Sequence, residues 1–308
     1  MISLDEFLQL PVEEVAKLVR ESGPKVVVFP INGTRRWFAL EYGAQGFENP
    51  ITAYMDIAQK KHIELYKLFF DHGVDTLITP AIGPEILATR DAYMQKIGGE
   101  ALARLAGHEE FLDFYKEYCV RVHFYGDYRE NLQHTPFEYL SDLFDGIAQN
   151  TGTNDRYRLF FGAFADNLNS ANVVAKFSVE FSKQYGRTPN RDELIAMYYG
   201  EHVEKASIFI GFDRFAVFDY PLINWGAEDL YFMAAPSCYL NPHVLRKILY
   251  DHIYTRKHLE LDHLSQPLEK TLELQEYYRS HKETVFGIGR ILNGTWIPLD
   301  DAAQREVE

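Results

Sequence analysis

Six short apolar runs recur along this chain, each bounded by Gly, Pro or Asp, and helical patterns separate them. The runs are Lys25–Pro30, Asp75–Pro80, Val120–Gly126, Arg158–Phe164, Ala206–Phe212 and Leu230–Pro236. Their apolar character is nearly continuous, which suits strands covered on both faces. Between them, 3.6-residue periodicity predicts helices over Ala53–His72, Glu109–Tyr118, Val173–Tyr185 and Arg191–Lys205, the last capped by Asn190 with an acidic first turn. Strand–helix alternation of this kind predicts an α/β fold with about six mainly parallel strands and right-handed crossovers. After Pro236 the pattern changes to helices over Pro242–Leu261 and Lys270–His281, then strands over Thr284–Ile291 and Thr295–Leu299 around Asn293-Gly294, a strong hairpin signal. Residues 1–299 thus read as one domain with a C-terminal appendage over 236–299, and the polar residues 300–308 read as a disordered tail.

Length and charge bound the function classes. A chain of 308 residues lies near the upper limit for a single hydrophobic core. Its 31 basic and 45 acidic residues give a formal charge of −14, which argues against a nucleic-acid-binding surface. No apolar run is long enough to span a membrane. The acidic, amphipathic start lacks the order of a signal peptide, and Cys119 and Cys238 read as isolated core residues, so a cytoplasmic location is the expectation. Aromatic residues make up 15% of the chain, an excess that fits a protein enclosing a large apolar ligand.

The most informative stretch is Phe29-Pro30-Ile31-Asn32-Gly33-Thr34-Arg35-Arg36-Trp37-Phe38. It follows the first strand and so lies at a carboxyl end, where open α/β sheets bind ligands. Asn32-Gly33-Thr34 can turn tightly and present N–H groups at a helix N-terminus, and Arg35 and Arg36 add forked donors suited to phosphate. The competing reading is a pair of surface arginines matched to acids.

This segment resembles the strand–loop–helix signature of the cis-prenyltransferases, Asp-Gly-Asn-Gly-Arg-Trp, in which the loop holds an allylic diphosphate. Phe124-Tyr125-Gly126-Asp127 resembles that family's Ile-Gly-Asp strand end, Leu159–Phe164 its strand before an Asn-Tyr-Gly-Gly turn, and Asp229-Leu230-Tyr231-Phe232 its Glu-Leu-Tyr-Phe. Over nearly the whole length, the blocks GPKVVVFPINGTRRWF, FYKE, FYGDY, KASIFIGFDRFAVFDYPL, LRKILYDHIYTR and VFGIG resemble the diterpene-processing branch of the fold, the tuberculosinol synthase/tuberculosinyl adenosine transferase family. The resemblance implies a homodimer that ionises an allylic prenyl or diterpenyl diphosphate. Gly33, Thr34, Arg35 and Arg36 would hold the diphosphate, Tyr54 would lie near the reacting centre, and Trp37 and Tyr93 would line the substrate pocket. Adenosine or water would be the acceptor. Chain-elongating members carry Arg-Thr-Gly-Gly-Glu and Arg-x-Ser-Asn for a second diphosphate; here Ile210 and Ala216 occupy the two arginine positions, which implies no coupling to isopentenyl diphosphate.

One departure matters most. The family's aspartate position is Asn32, which keeps shape and hydrogen bonding but loses charge and basicity. An amide is a poor Mg²⁺ anchor, so Mg²⁺ is an open cofactor assignment, with Asp229 as the one implied ligand or, equally, a solvated loop acid beside Glu228. By the resemblance Asn32 stands at a catalytic position of the diterpene branch, which implies either an inactivated variant or a natural member whose chemistry does not need the carboxylate. Two rival readings stay open: a terpene synthase that quenches by proton loss or cyclisation, and a catalytically silent diphosphate-binding subunit. Other motifs carry less. There is no DDxxD cluster in a structured segment and no GxSxG or Walker motif. Asp251, His252, His258 and His263 lack the spacing for a zinc site, and Gly287-Ile288-Gly289 is not at a strand-to-helix turn.

Overall fold

The computed structural model describes residues 2–23, 25–83, 92–165, 170–257 and 267–298, without the side chains at 92–96 and 170. Six strands form one sheet: β1 (Val26–Val28), β2 (Thr76–Ile82), β3 (Val120–Tyr125), β4 (Tyr157–Ala163), β5 (Ile208–Phe212) and β6 (Asp229–Met233). Their order is β3-β4-β2-β1-β5-β6, and every pairing is parallel. All six apolar runs of the sequence are therefore strands. The chain leaves β1 toward β2 on one side and later returns to lay β5 on the other. The crevice beyond the carboxyl end of β1 is thus a switch point of the sheet.

The helices are α1 (Leu4–Gln9), α2 (Val12–Glu21), α3 (Thr34–Tyr42), α4 (Pro50–Asp71), α5 (Ala92–Gly107), α6 (Glu109–Glu117), α7 (Tyr128–Leu132), α8 (Tyr139–Thr151), α9 (Ser170–Tyr185), α10 (Arg191–Tyr199), α11 (Pro242–Tyr250) and α12 (Leu268–His281). They cover both faces of the sheet, and the period of two along each strand divides the core. Val27, Leu77, Leu159, Phe161 and Ile208 point into one cluster with α1, α2, α4, α6 and α8. Val26, Val28, Ile78, Phe160 and Phe209 point into the other, with α9 and α10. This two-sided burial is why the strands read as unbroken apolar runs.

Local signals set most boundaries. Asn49 caps α4 through its side chain, with Pro50 in the first turn. Asn190 and Glu193 close a capping box at the start of α10. That helix stops at Tyr199 instead of running to Lys205, because Gly200 is left-handed (φ 87°) and a Cβ there would lie 2.9 Å from His123 Nδ1. The helix predicted over Pro242–Leu261 turns into a π-helical stretch at Asp251–Thr255, and its last residues fall outside the described set. The hairpin pairs β7 (Gly289–Leu292) with β8 (Thr295–Pro298). Asn293 and Gly294 both adopt positive φ (48° and 77°), the turn expected of Asn-Gly. Its first strand starts at Gly289, five residues later than the sequence predicts. The tail 300–308 lies outside the described residues. Cys238 is buried, but Cys119 is exposed, in the left-handed turn between α6 and β3 (φ 52°), and so is not a core residue.

Candidate active site

The segment 29–38 folds as a strand end, a tight turn and a helix start. Gly33 (φ 76°) is the N-cap of α3. A Cβ at that position would come within 2.6 Å of the Phe212 ring and 3.1 Å of Pro236, so only glycine fits between β5's end and the loop after β6. The turn is tied from both sides through Asn32. Its backbone N–H donates to Ser237 Oγ at 3.1 Å and its carbonyl accepts from the Ser237 N–H at 3.1 Å. Ser237 Oγ donates in turn to the Pro30 carbonyl at 3.1 Å, and Thr34 Oγ1 to the Ile31 carbonyl at 3.1 Å. These bonds hold the backbone of the turn, and none of them uses the Asn32 side-chain amide.

The two arginines have different surroundings. Arg35 is exposed; Arg36 is partly buried. Arg36 Nη2 donates to Asp213 Oδ2 at 3.3 Å, and its guanidinium lies over the Phe212 ring, 5.2 Å from the centroid. Asp213 follows β5 in a left-handed conformation (φ 71°), and its other oxygen, Oδ1, is buried with no hydrogen-bond partner. A non-glycine residue held in this way is strained, a feature that clusters at functional sites. One ion pair uses one of Arg36's five N–H groups, leaving donors for a phosphate. Asp213 and Ser237 lie 177 and 205 residues from their partners in the loop, and no spacing in the sequence signals either.

Behind the loop opens a cavity of about 100 Å³, bounded by α4, the carboxyl end of β2, α5 and the start of α6. Tyr54, Ala58, His62 and Tyr66 lie four residues apart on α4 and form one wall. Ile31, Ile82, Leu102, Leu105 and Phe111 supply the opposite, apolar surfaces. Tyr54 meets Phe38 of α3 edge-on at 5.5 Å, and Phe38 stacks on Tyr42 and Phe47. Burial raises the Tyr54 hydroxyl above its ordinary range, partly offset by the positive charge of Arg35. His62 Nε2 is buried without a partner, and burial pushes that imidazole down to about 4, so the ring is neutral. Tyr66 is also raised by burial. The i, i+4 spacing could have flagged His62 and Tyr66 from the sequence.

Tyr54 is in the cavity wall, and Arg35 is near enough for its charge to act on the Tyr54 hydroxyl; Gly33, Thr34 and Arg36 start α3 just after Ile31, which also lines the cavity, but residues 33–36 are not themselves in the lining. Trp37 is buried against Tyr42 instead and is not part of the cavity wall. Tyr93 lies in the first turn of α5, and its side chain, like Arg90 and Asp91, is outside the described residues. Asp229 is not brought to the loop. It begins β6, in register with Ile208, whereas Phe212, the residue touching Gly33, is in register with Met233. Four residues of strand, ~13 Å at 3.3 Å per residue, separate Asp229 from that end. There it accepts from Arg256 at 3.3 Å and pairs with His252 Nδ1 at 2.6 Å. His252 is therefore engaged by hydrogen bonding to Asp229, with burial lowering the pKa of the imidazole, and His258 and His263 lie outside the described residues. Among the described residues no three His, Cys, Asp or Glu side chains are grouped to hold a metal ion. With an amide at Asn32 and Asp229 at the far end, the loop's own side chains do not fit a Mg²⁺ cage. At the positions where elongating enzymes carry a second set of arginines, Ile210 is buried in the core and Ala216 is exposed.

The sheet order, the glycine turn at the switch point and the cavity behind α4 define a cis-prenyltransferase fold, and solved structures agree. A lavandulyl diphosphate synthase from Lavandula x intermedia superposes with a TM-score of 0.53 at 12% identity, covering 76% of this chain and 97% of that one. A probable undecaprenyl diphosphate synthase from Campylobacter jejuni gives 0.55 at 12% identity, covering 78% and 98%. Among curated proteins, the tuberculosinyl adenosine transferase of Mycobacterium tuberculosis is 41% identical over 298 residues, 96% of this chain and 98% of that protein. The chain belongs to the tuberculosinyl adenosine transferase family. The (+)-kolavelool synthase of Herpetosiphon aurantiacus is 25% identical over 311 residues, 99% of this chain and 98% of its own length. No protein-family model matches the chain.

Proposed function

We propose that the chain binds one allylic diterpenyl diphosphate, ionises it, and passes the carbocation to a small nucleophile, adenosine or water. The single observation that supports this reading is the Gly33–Arg36 helix start, with its two arginines, following Ile31 and beside a largely apolar cavity that Ile31, Tyr54 and Tyr66 line. The C1–O bond breaks with its electron pair leaving on diphosphate. The α3 N–H groups, Arg35 and Arg36 stabilise that charge as it develops. The remaining cation lies among ring faces such as Tyr54, whose quadrupole favours positive charge. A lone pair of a nucleoside ring nitrogen then forms the new C–N bond, or water forms a C–O bond and gives up a proton.

The full-length likeness to a transferase and to a synthase supports an enzyme over a silent binding subunit. The likeness to a synthase keeps quenching without a nucleoside as the second reading. Isopentenyl diphosphate is not a partner in this reading, because Ile210 and Ala216 supply no charge for it. Among the described residues no helix is long and apolar enough to cross a membrane. A cytoplasmic homodimer completes the proposal; exposure of Leu268, Phe286 and Ile291 on the appendage supports a protein interface there.

The test is diphosphate release from geranylgeranyl and bicyclic diterpenyl diphosphates, with and without adenosine, for this chain and Asn32→Asp. The aspartate supplies a base and an anion at the family position, so its rate should exceed the parent's at least tenfold. Equal rates would mean that the chemistry here does not use that carboxylate. Silence from both chains would contradict the reading.

A further inference from the structure

Tyr54 and His62 share one wall of the cavity, and their surroundings differ. The positive charge of Arg35 reaches the Tyr54 hydroxyl, which marks that part of the wall as nearer the loop. His62 lies eight residues further along α4, ~12 Å at 1.5 Å per residue. Its imidazole is neutral through burial alone, so no charged group acts on it there.

The other polar side chains of the wall are committed. Gln59 Nε2 is engaged by His108 Nδ1 and Glu110 Oε2, both at 2.7 Å, and Gln59 Oε1 accepts from Arg104 Nη1 at 3.3 Å. Arg104 also donates to Asp56 Oδ1 at 2.6 Å and to Glu100 Oε1 at 3.3 Å. The Tyr66 hydroxyl has the Thr79 side chain beside it as a hydrogen-bonding neighbour. Among the described lining residues, His62 Nε2 is the one buried side-chain nitrogen or oxygen without a partner.

A buried polar atom with no partner is rare in a native fold. No protein group supplies one here, so the partner comes from the cavity. The chemistry of the ring narrows what it is. A neutral imidazole has one N–H and one bare nitrogen, and a hydroxyl both donates and accepts, so it satisfies Nε2 in either tautomer. A carbonyl or ether oxygen serves only the N–H form. A charged group is disfavoured by the apolar walls, because one neutral hydrogen bond does not offset its desolvation. A resident water needs two to four polar partners, and Gln59, three residues back on the helix, is already taken.

We infer that His62 is a specificity-determining residue, and that the substrate of this chain is a diterpenyl diphosphate bearing a hydroxyl on a carbon far from the diphosphate. The hydroxyl bonds to His62 Nε2 while the diphosphate rests on the Gly33–Arg36 loop. A purely hydrocarbon tail leaves the nitrogen unpaired and binds more weakly, the discrimination that a buried polar group imposes. The inference rests on the proposed diphosphate site and extends that reading to the other end of the same substrate.

Isothermal titration of three diphosphate analogues tests it. The first is geranylgeranyl S-thiolodiphosphate, which resists ionisation. The other two add a hydroxyl, on the third or on the terminal isoprene unit. One hydroxylated analogue should bind the parent at least about tenfold more tightly than the plain one, the worth of one buried hydrogen bond. That advantage should vanish in His62→Leu, which should hold the plain analogue at least as well as the parent does. It should return in part in His62→Gln. Equal affinity of the parent for all three analogues would overturn the inference, and that comparison needs no variant to fold. An advantage that survives in His62→Leu would overturn it too, because the hydroxyl would be bound elsewhere. Either result leaves the diphosphate loop standing as long as the plain analogue binds the parent and is weakened by Arg36→Ala. Binding of none of the three would overturn both.

Discussion

At the residue scale the site depends on how Arg36 is held. The guanidinium is pinned between Asp213 and the Phe212 ring, so in the proposed site it would meet a diphosphate already oriented and lose little side-chain entropy on binding. Removing it takes away charge-assisted bonds of about 1.5–3 kcal/mol and leaves Asp213 facing the loop without its cation. Arg36→Ala should therefore weaken a non-ionising diphosphate analogue by roughly 10- to 100-fold, by the same energies. Titration checks this, and an unchanged affinity would remove Arg36 from the site. The arginines themselves are legible in the sequence, since they follow an apolar strand and a Gly-containing turn. Asp213 and Ser237 are not, because the sheet order alone brings β5 and the loop after β6 to β1. Asp229 shows the converse. Its sequence neighbourhood resembles a metal-binding motif, yet strand register sets it at the amino end of β6 with His252 and Arg256.

At the element scale α4 forms one wall of the cavity, and one of its residues there should titrate measurably. His62 is neutral in the folded chain, with its value lowered by burial from 6.5 to about 4. Between those values the unfolded chain binds the proton that the folded chain refuses, so stability rises with pH. The contribution is whole above pH 6.5 and is lost as pH falls toward 4. His62→Leu should remove this part of the slope. From pH 7 to pH 4.5 it should lose less stability than the parent, by on the order of 2 kcal/mol. Urea melts at the two pH values give the difference, and parallel losses would show that the ring is protonated in the fold. The strands were readable: each apolar run became a strand because both faces are covered, and Asn190 and Asn293-Gly294 did what their types favour, whereas the helices over Leu4–Gln9, Val12–Glu21, Ala92–Gly107 and Tyr139–Thr151 were not among those expected. The misplaced ends have local causes. Gly200 ends α10 because His123 closes in on it, a contact across elements that helical periodicity does not register.

At the scale of the whole molecule, the fold puts the Gly33–Arg36 loop of the proposed diphosphate site at a switch point, a largely apolar cavity next to Ile31 of that segment, and an appendage with exposed apolar residues. α12 buries no residue, and Phe286 and Ile291 are 75% and 67% exposed. In the proposed homodimer a second copy covers this surface. Sedimentation should show a dimer for the parent and a monomer for Phe286→Asp, since a charge buried in an apolar interface costs several kcal/mol. A monomeric parent would contradict the dimer.

The central claim is that this chain kept one diphosphate site and lost the other. Its most direct test is the binding stoichiometry of geranylgeranyl S-thiolodiphosphate, followed by isopentenyl diphosphate, by isothermal titration. One analogue per chain and no heat from isopentenyl diphosphate is the predicted result. A second bound diphosphate, or an elongated product when geranylgeranyl diphosphate replaces the analogue, would contradict it.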